Sequence, residues 1–337
     1  MLDEQQYQCW CRSLGFKRET KELLDRIRSS PPARRVGGGK KRVAGRYPSR
    51  KMGVTIQFES HSNELAAVLE YENDPDCLEF YDQPQPCIPL EYRAKKGRQL
   101  PVLHTADFFV LRAESAGWVE CKTEQDLVNL AEQSPERFQK AVDGTWHCRP
   151  GEDYASRFAL CYYLRSSRET DLVYRRNLEF LEDYRRCATL MIAEAARTAV
   201  LAAVRARPGI TVAELMQVTN PFGPDDIYGL IAAADLYVDL HAAPLTDAAR
   251  VPVFCSMEEA QTHSMVTKPD RGPRRTTNQR GRQMTDPEVF RILQSALNEN
   301  PPPSAGSTPT DSQADQQRIG FMPITVHSCK GIVPALR

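Results

Sequence analysis

Glu120 and Lys122 flank a single cysteine in the segment WVECKT, and Asp107 stands thirteen residues before Glu120 in HTADFF. A strand alternates its side chains, so Glu120 and Lys122 share one face while Val119 and Cys121 take the other. A hairpin joining the two segments sets Asp107 beside Glu120. Glu64 opens the segment ELAAVLEY on the side of Val68 and Tyr71, so a helix there directs it toward a sheet rather than water. Clustered carboxylates suit Mg²⁺, a hard cation that prefers oxygen ligands. One or two such ions activate water and stabilise the leaving oxygen in phosphodiester hydrolysis. An ammonium group beside them orients the attacking water or offsets charge in the transition state.

Each residue also has a plain structural reading. Glu120 and Lys122 fit a solvated, salt-bridged strand face, and Asp107 fits a turn or strand-edge carboxylate. Glu64 fits a helix N-terminal carboxylate favoured by the helix dipole. His61 and His104 lie near Glu64 and Asp107 in sequence; they read as satisfied structural histidines, with contact to a substrate phosphate as the alternative. His147-Cys148 lacks partners at zinc spacing, no Ser-His-Asp or GxSxG pattern occurs, and Tyr162-Tyr163 reads as core packing. Glu64, then Asp107, then Glu120-x-Lys122, followed by a helix, is the element order of the PD-(D/E)xK nuclease fold.

The elements that must hold these residues are readable from period and punctuation. Val54–Phe58 is β-branched and strand-like, and Ser60 or Ser62 caps a helix running to about Tyr71, closed by Pro75. Cys77–Tyr81, Cys87–Arg93, Leu103–Arg112 and Gly117–Thr123 read as strands, with Lys95–Arg98 a basic hairpin tip. A helix follows over Thr123–Gln133 and a buried strand over Ala159–Leu164. Residues 54–170 thus form a mixed α/β nuclease domain. The stretch Val173–Arg207 turns helical. A capping box at Thr211 and Glu214 opens the next helix, and Asp225 caps another through Ala234. Leu236–Leu240 and Val251–Phe254 then read as paired strands. Helix, turn, helix and hairpin is the winged-helix order, so residues 171–267 read as a helical linker and winged-helix domain, with a small helical bundle carrying a hairpin appendage as the alternative. The second of its paired helices carries two acidic residues and no Lys or Arg, which argues against base readout by it and makes protein docking a competing role.

Charge is segregated behind a net charge of zero. Residues 1–53 hold 14 Lys/Arg against 5 Asp/Glu, while residues 54–130 hold 6 against 14. Residues 1–53 read as a basic N-terminal arm with a short helix over Glu19–Arg28 and a flexible Gly-rich segment from residue 34 to 51; residues 268–337 read as a largely disordered tail. Within that tail only Asp286–Leu297 looks helical, and the apolar end Ile319–Leu336 fits either a partner-binding peptide or disorder. The 41% hydrophobic and 26% charged residues are those of an ordinary globular chain. No apolar run approaches the ~18 residues of a membrane span, and the ten cysteines form no CxxC pair. Both facts point to reduced thiols in a cytoplasmic setting.

The runs GRYPSRKMGVTIQFESHSNELAAVLEYENDPDCLEFYDQP and HTADFFVLRAESAGWVECKTEQDL resemble the TnsA-type endonuclease subunit of heteromeric transposases. NLEFLEDYRR and TVAELMQ…DDIYGLIAAADLYVDLHAAPLTDAARVPVF are similar to the remainder of that family, so the resemblance covers about residues 43–257. It implies that Glu64, Asp107 and Glu120 bind metal and that Lys122 is the catalytic lysine. Ala106 stands where the broad motif has Pro, as is common in this family. The implied activity is Mg²⁺-dependent hydrolysis of the 5′ strand ends at transposon borders during DNA transposition. The implied partners are double-stranded transposon-end DNA, a DDE-type transposase subunit and an AAA+ ATPase regulator. The implied setting is the bacterial cytoplasm, at the nucleoid. A free-standing restriction-like or repair nuclease, and a non-catalytic DNA-binding scaffold, are the competing readings.

Overall fold

The computed structural model describes residues 1–34, 44–93, 99–187 and 192–267. All belong to one compact unit, Met1–Pro287; the second unit, Glu288–Arg337, lies outside the described residues. So do the basic tip Lys95–Arg98, the glycines Gly37–Gly39 and the whole of the expected tail.

Two helices open the chain, α1 (Glu4–Ser13) and α2 (Arg18–Ser29). α2 is the helix expected over Glu19–Arg28; α1 and the burial of both helices correct the expectation that this segment is a disordered basic arm. Their charges hide an apolar stripe: Tyr7, Trp10, Cys11, Leu24 and Ile27 are all 3% exposed or less and belong to the same core as the central sheet. A run of basic residues is a tail only when nothing apolar recurs between them at helical spacing. Residues 44–53 are also ordered, since β1 (Gly45–Pro48) pairs antiparallel with β2 (Thr55–Phe58).

Next come α3 (Glu64–Asn73), β3 (Cys77–Asp82), β4 (Ile88–Arg93), β5 (Gln99–His104), β6 (Phe108–Arg112) and β7 (Ala116–Lys122). The cap expected at Ser60 or Ser62 does not form: α3 starts at Glu64 with Asn63 as its N-cap and no side-chain cap bond, and the Ser60 hydroxyl accepts only from the Asn63 N–H at 3.3 Å, in the turn before the helix. At the other end of α3, the Lys51 ammonium donates to the carbonyls of Tyr71, Asp74 and Cys77 at 2.6, 2.7 and 2.7 Å. It thereby satisfies oxygens that a helix C-terminus leaves open. The single strand expected over Leu103–Arg112 is broken at Thr105–Asp107. β5 pairs only with β4, whereas β6 joins a different sheet.

That central sheet has the order β10-β7-β6-β3, completed after α4 (Glu124–Gln133), β8 (Gln139–Lys140), β9 (Trp146–His147) and α5 (Arg149–Ser156) by β10 (Cys161–Ser166). β3, β6 and β7 run antiparallel, and β10 lies parallel to β7 with Leu164 opposite Glu120. Both faces are covered, which is why β6 reads as the unbroken apolar run FFVL. Phe109, Leu111 and Trp118 face the core shared with α1, α2, α4 and α5; Phe108, Val110, Val119 and Cys121 face α3 and the β1–β2 pair. Gly117 has no substitute here, since a Cβ on it would lie 2.2 Å from the Cys161 carbonyl oxygen. Tyr162 is buried as expected, but its neighbour Tyr163 is 45% exposed. Adjacent strand residues point to opposite sides, and Tyr163 lies on an edge strand.

The expected helical region divides into α6 (Leu172–Arg186) and α7 (Glu194–Ala206). Leu178 of α6 belongs to the core beneath α3, and Leu181 to the core of the elements that follow. These are β11 (Ile210–Thr211), α8 (Val212–Val218), α9 (Pro224–Ala232), β12 (Pro252–Val253) and α10 (Met257–Thr267). α9 begins at Pro224 after Gly223, so Asp225 sits inside its first turn instead of capping it. Leu236–Leu240 does not form a full strand; a single bridge joins Tyr237 to Phe254, beside the β11–β12 pair. Buried Asn177 explains the difference. Its amide donates to the carbonyls of Leu240 and Ala243 and accepts from the Leu245 N–H, which draws this segment onto α6.

The capping box does form: the Thr211 hydroxyl accepts from the Glu214 N–H and the Glu214 carboxylate from the Thr211 N–H. Thr211→Ala is expected to cost ~1 kcal/mol. A urea titration reads this as a lower midpoint with an unchanged slope.

Candidate active site

Glu120 is an interior residue of β7, 4% exposed, on the same side of the strand as Trp118. The Lys122 ammonium donates to its Oε1. His104 Nε2 lies 3.0 Å from its Oε2. Burial alone pushes this carboxyl up. The His104 contact and the Lys122 charge more than reverse that, and Glu120 is held down to about 2. It is therefore ionised at neutral pH. Lys122 responds in the opposite sense: burial works against its charge, but Glu120 and then Asp107 raise it above the ordinary lysine value.

Asp107 sits in the break between β5 and β6, directly before Phe108. Its Oδ2 accepts from the Cys121 N–H at 2.7 Å, which ties it to β7 between Glu120 and Lys122. Burial raises its carboxyl well above the usual range, and the charges of Glu120 and Glu64 add to the effect. Glu64 occupies the first turn of α3 and its Oε2 accepts from the Glu59 N–H at 2.8 Å. It too is raised, first by burial, then by Glu59 and Glu120, with Lys122 opposing. α3 packs on the Val119 and Cys121 side of the sheet, so Glu64 comes from the face opposite Glu120.

All four residues singled out in the sequence are thus turned inward. Glu64, Asp107 and Glu120 are 8, 9 and 4% exposed, and the charge of Glu120 acts on Glu64 and on Asp107. Three carboxylates with one ammonium among them offer oxygen donors of the kind that hard divalent cations take. Each carboxylate is also anchored through one oxygen, by a backbone N–H for Glu64 and Asp107 and by Lys122 for Glu120. Among the described residues, no group of three or more His, Cys, Asp or Glu side chains, these three carboxylates included, is placed so as to hold a metal ion as it stands.

His104 is a satisfied histidine, as expected from the sequence, and one of its partners is Glu120. Its side chain is 12% exposed and adjoins Glu120, Tyr162 and Arg137. The available signal was its place three residues before Asp107, where a strand end brings it to the same edge. His61 instead sets its ring edge-on against Phe58 at 5.0 Å, and His147 pairs with Glu152 at 2.9 Å. No helix among the described residues is long and apolar enough to cross a membrane. No family model matches the sequence, and no curated protein matches it.

Proposed function

We propose that this chain is the Mg²⁺-dependent endonuclease subunit of a heteromeric transposase, of the TnsA type. In this reading it hydrolyses the 5′ strands at transposon ends, beside a DDE-type transposase subunit and an AAA+ ATPase regulator, in the bacterial cytoplasm at the nucleoid. The observation that carries the reading is the inward convergence of Glu64, Asp107, Glu120 and Lys122 from a helix, a strand break and one strand. Under it, residues 54–170 are a PD-(D/E)xK nuclease domain. Residues 171–267 are its helical linker and winged helix, with the helix, short strand, helix, helix, bridge and strand order of α7 to β12 as support.

Glu64, Asp107 and Glu120 would hold the Mg²⁺, which when bound supplies Lewis-acid polarisation of the scissile phosphate. The protein's own contribution is preorganisation. The Cys121 N–H fixes the Asp107 carboxylate, and the Glu59 N–H fixes that of Glu64. Lys122, kept charged by Glu120 and Asp107, orients the attacking water or offsets charge that builds on the phosphate. α9 supports docking to protein more than base readout. Its Asp225 accepts from the Tyr184 hydroxyl at 3.0 Å and its Tyr228 packs edge-on against Phe180 of α6 at 4.9 Å.

The test is a reconstituted reaction with transposase, ATPase, Mg²⁺ and end DNA labelled on the 5′ strand. Nicking of that strand is expected only in the full assembly, and chelation of Mg²⁺ abolishes it. Efficient cutting by the chain alone would favour a free-standing restriction-like or repair nuclease. An intact assembly that never nicks the 5′ strand would favour a non-catalytic scaffold.

A further inference from the structure

We infer that His104 is a positioning residue that orients the Glu120 carboxylate for metal binding, with its own tautomer set by Arg137. The inference rests on the nuclease reading above. Arg137 Nη2 lies 3.4 Å from His104 Nδ1. A guanidinium has only donors, so Nδ1 must accept, and the ring proton is then on Nε2. That proton faces two oxygens: the Tyr162 hydroxyl at 2.8 Å and Glu120 Oε2 at 3.0 Å. Glu120 Oε2 is buried and has no well-directed hydrogen bond. A small rotation of the imidazole lets Nε2–H serve it.

The same argument separates His104 from a metal ligand. A ligating imidazole offers a lone pair, and here one lone pair is committed to Arg137 while the other nitrogen carries the proton. What remains is orientation: the histidine holds one oxygen of a carboxylate so that the other faces the cation, which is the usual part of groups behind a metal's direct ligands. Three elements that are distant in sequence combine to do this. β5 ends at His104, the loop after α4 carries Arg137, and β10 carries Tyr162. Arg137 is itself held over the ring of Phe138, at 4.8 Å from its centroid.

Two variants of similar size test the assignment. In His104→Gln the side-chain amide nitrogen reaches the position of Nε2; in His104→Asn it reaches that of Nδ1. Mn²⁺ binding to the full-length chain is measured by electron paramagnetic resonance, and the Mg²⁺ dependence of nicking in the full assembly beside it. His104→Asn is expected to weaken Mn²⁺ binding by about 10–100-fold and to raise the half-saturating Mg²⁺ by a similar factor. His104→Gln is expected to stay within about threefold of wild type, because it keeps the donor. Equal affinities for the two variants overturn the inference, whether both are strong or both are weak. If wild type binds Mn²⁺ and nicks while His104→Asn matches it, this inference alone fails. If wild type binds no Mn²⁺, the nuclease reading fails and this inference falls with it.

Discussion

Asp107→Asn is expected to abolish 5′-strand nicking while leaving the chain folded and able to enter its complex. Asparagine keeps an oxygen where Asp107 Oδ2 accepts from the Cys121 N–H, so β7 stays tied to the β5–β6 break. What it removes is the negative charge. Loss of one preorganised electrostatic group costs about 1,000-fold or more in rate, or ~4 kcal/mol of transition-state stabilisation. Asp107→Ala gives the same loss of nicking but also strands the buried Cys121 N–H, at about 1–3 kcal/mol. Asn is therefore the cleaner variant. Its stability should move the other way. The Asp107 carboxyl is raised by burial and by Glu120 and Glu64, so its ionised form is disfavoured in the native state. A carboxyl raised on folding contributes stability that is fully present below its unfolded value and is lost as pH rises through the folded one. Removing the ionisation removes that loss, and the metal-free thermal midpoint of Asp107→Asn at neutral pH should equal or exceed that of wild type. Persistent nicking at the wild-type rate would show that the site has been misassigned.

The alternation of WVECKT was enough to put Glu120 and Lys122 on one face, because period two is fixed by the peptide backbone. Likewise, Glu64 beside Val68 and Tyr71 was legible as inward-facing from helical spacing alone. The break at Thr105–Asp107 was not legible. LPVLHTADFFVLR has strand-forming residues on both sides, and the separation of β5 from β6 depends on which partner each finds across the fold. That same break delivers His104 and Asp107 to one edge, so the contact of His104 with Glu120 was not legible either. The single Tyr237–Phe254 bridge depends in the same way on distant contacts. Asn177 reaches residues more than sixty positions away, a distance over which sequence pattern carries no signal. The charge of residues 1–34 misled for a different reason. Helical spacing marks the Leu24 and Ile27 stripe of α2, but counting Lys and Arg says nothing about Tyr7 and Trp10 of α1, which join the same core.

Arg28→Ala tests that last point directly, since the basic-arm and core readings predict opposite results. Arg28 donates to both oxygens of Glu79 at 3.0 Å and to the Leu2 carbonyl at 3.0 Å. The Glu79 side chain is 0% exposed, and it also accepts from the Leu2 N–H at 2.8 Å and the Tyr81 hydroxyl at 2.5 Å. The Arg28 guanidinium also lies over the Tyr7 ring, 3.9 Å from its centroid. Alanine leaves Glu79 buried with no cation. Breaking a buried pair from one side costs about 3–5 kcal/mol, far more than the intact pair contributes. At about 2–4 °C per kcal/mol for a unit of this size, the thermal midpoint should fall by roughly 6–20 °C. Arg26, exposed on the same helix, is the control: Arg26→Ala should change stability by no more than about 0.5 kcal/mol. If residues 1–30 acted only as a phosphate-neutralising arm, both variants would leave the melting curve in place. Each would then reduce the salt dependence of DNA binding by about one counterion. Equal midpoints for Arg28→Ala and Arg26→Ala would restore the arm reading. A large fall confined to Arg28→Ala makes the first two helices part of the platform on which β3, and through it the whole sheet, is built.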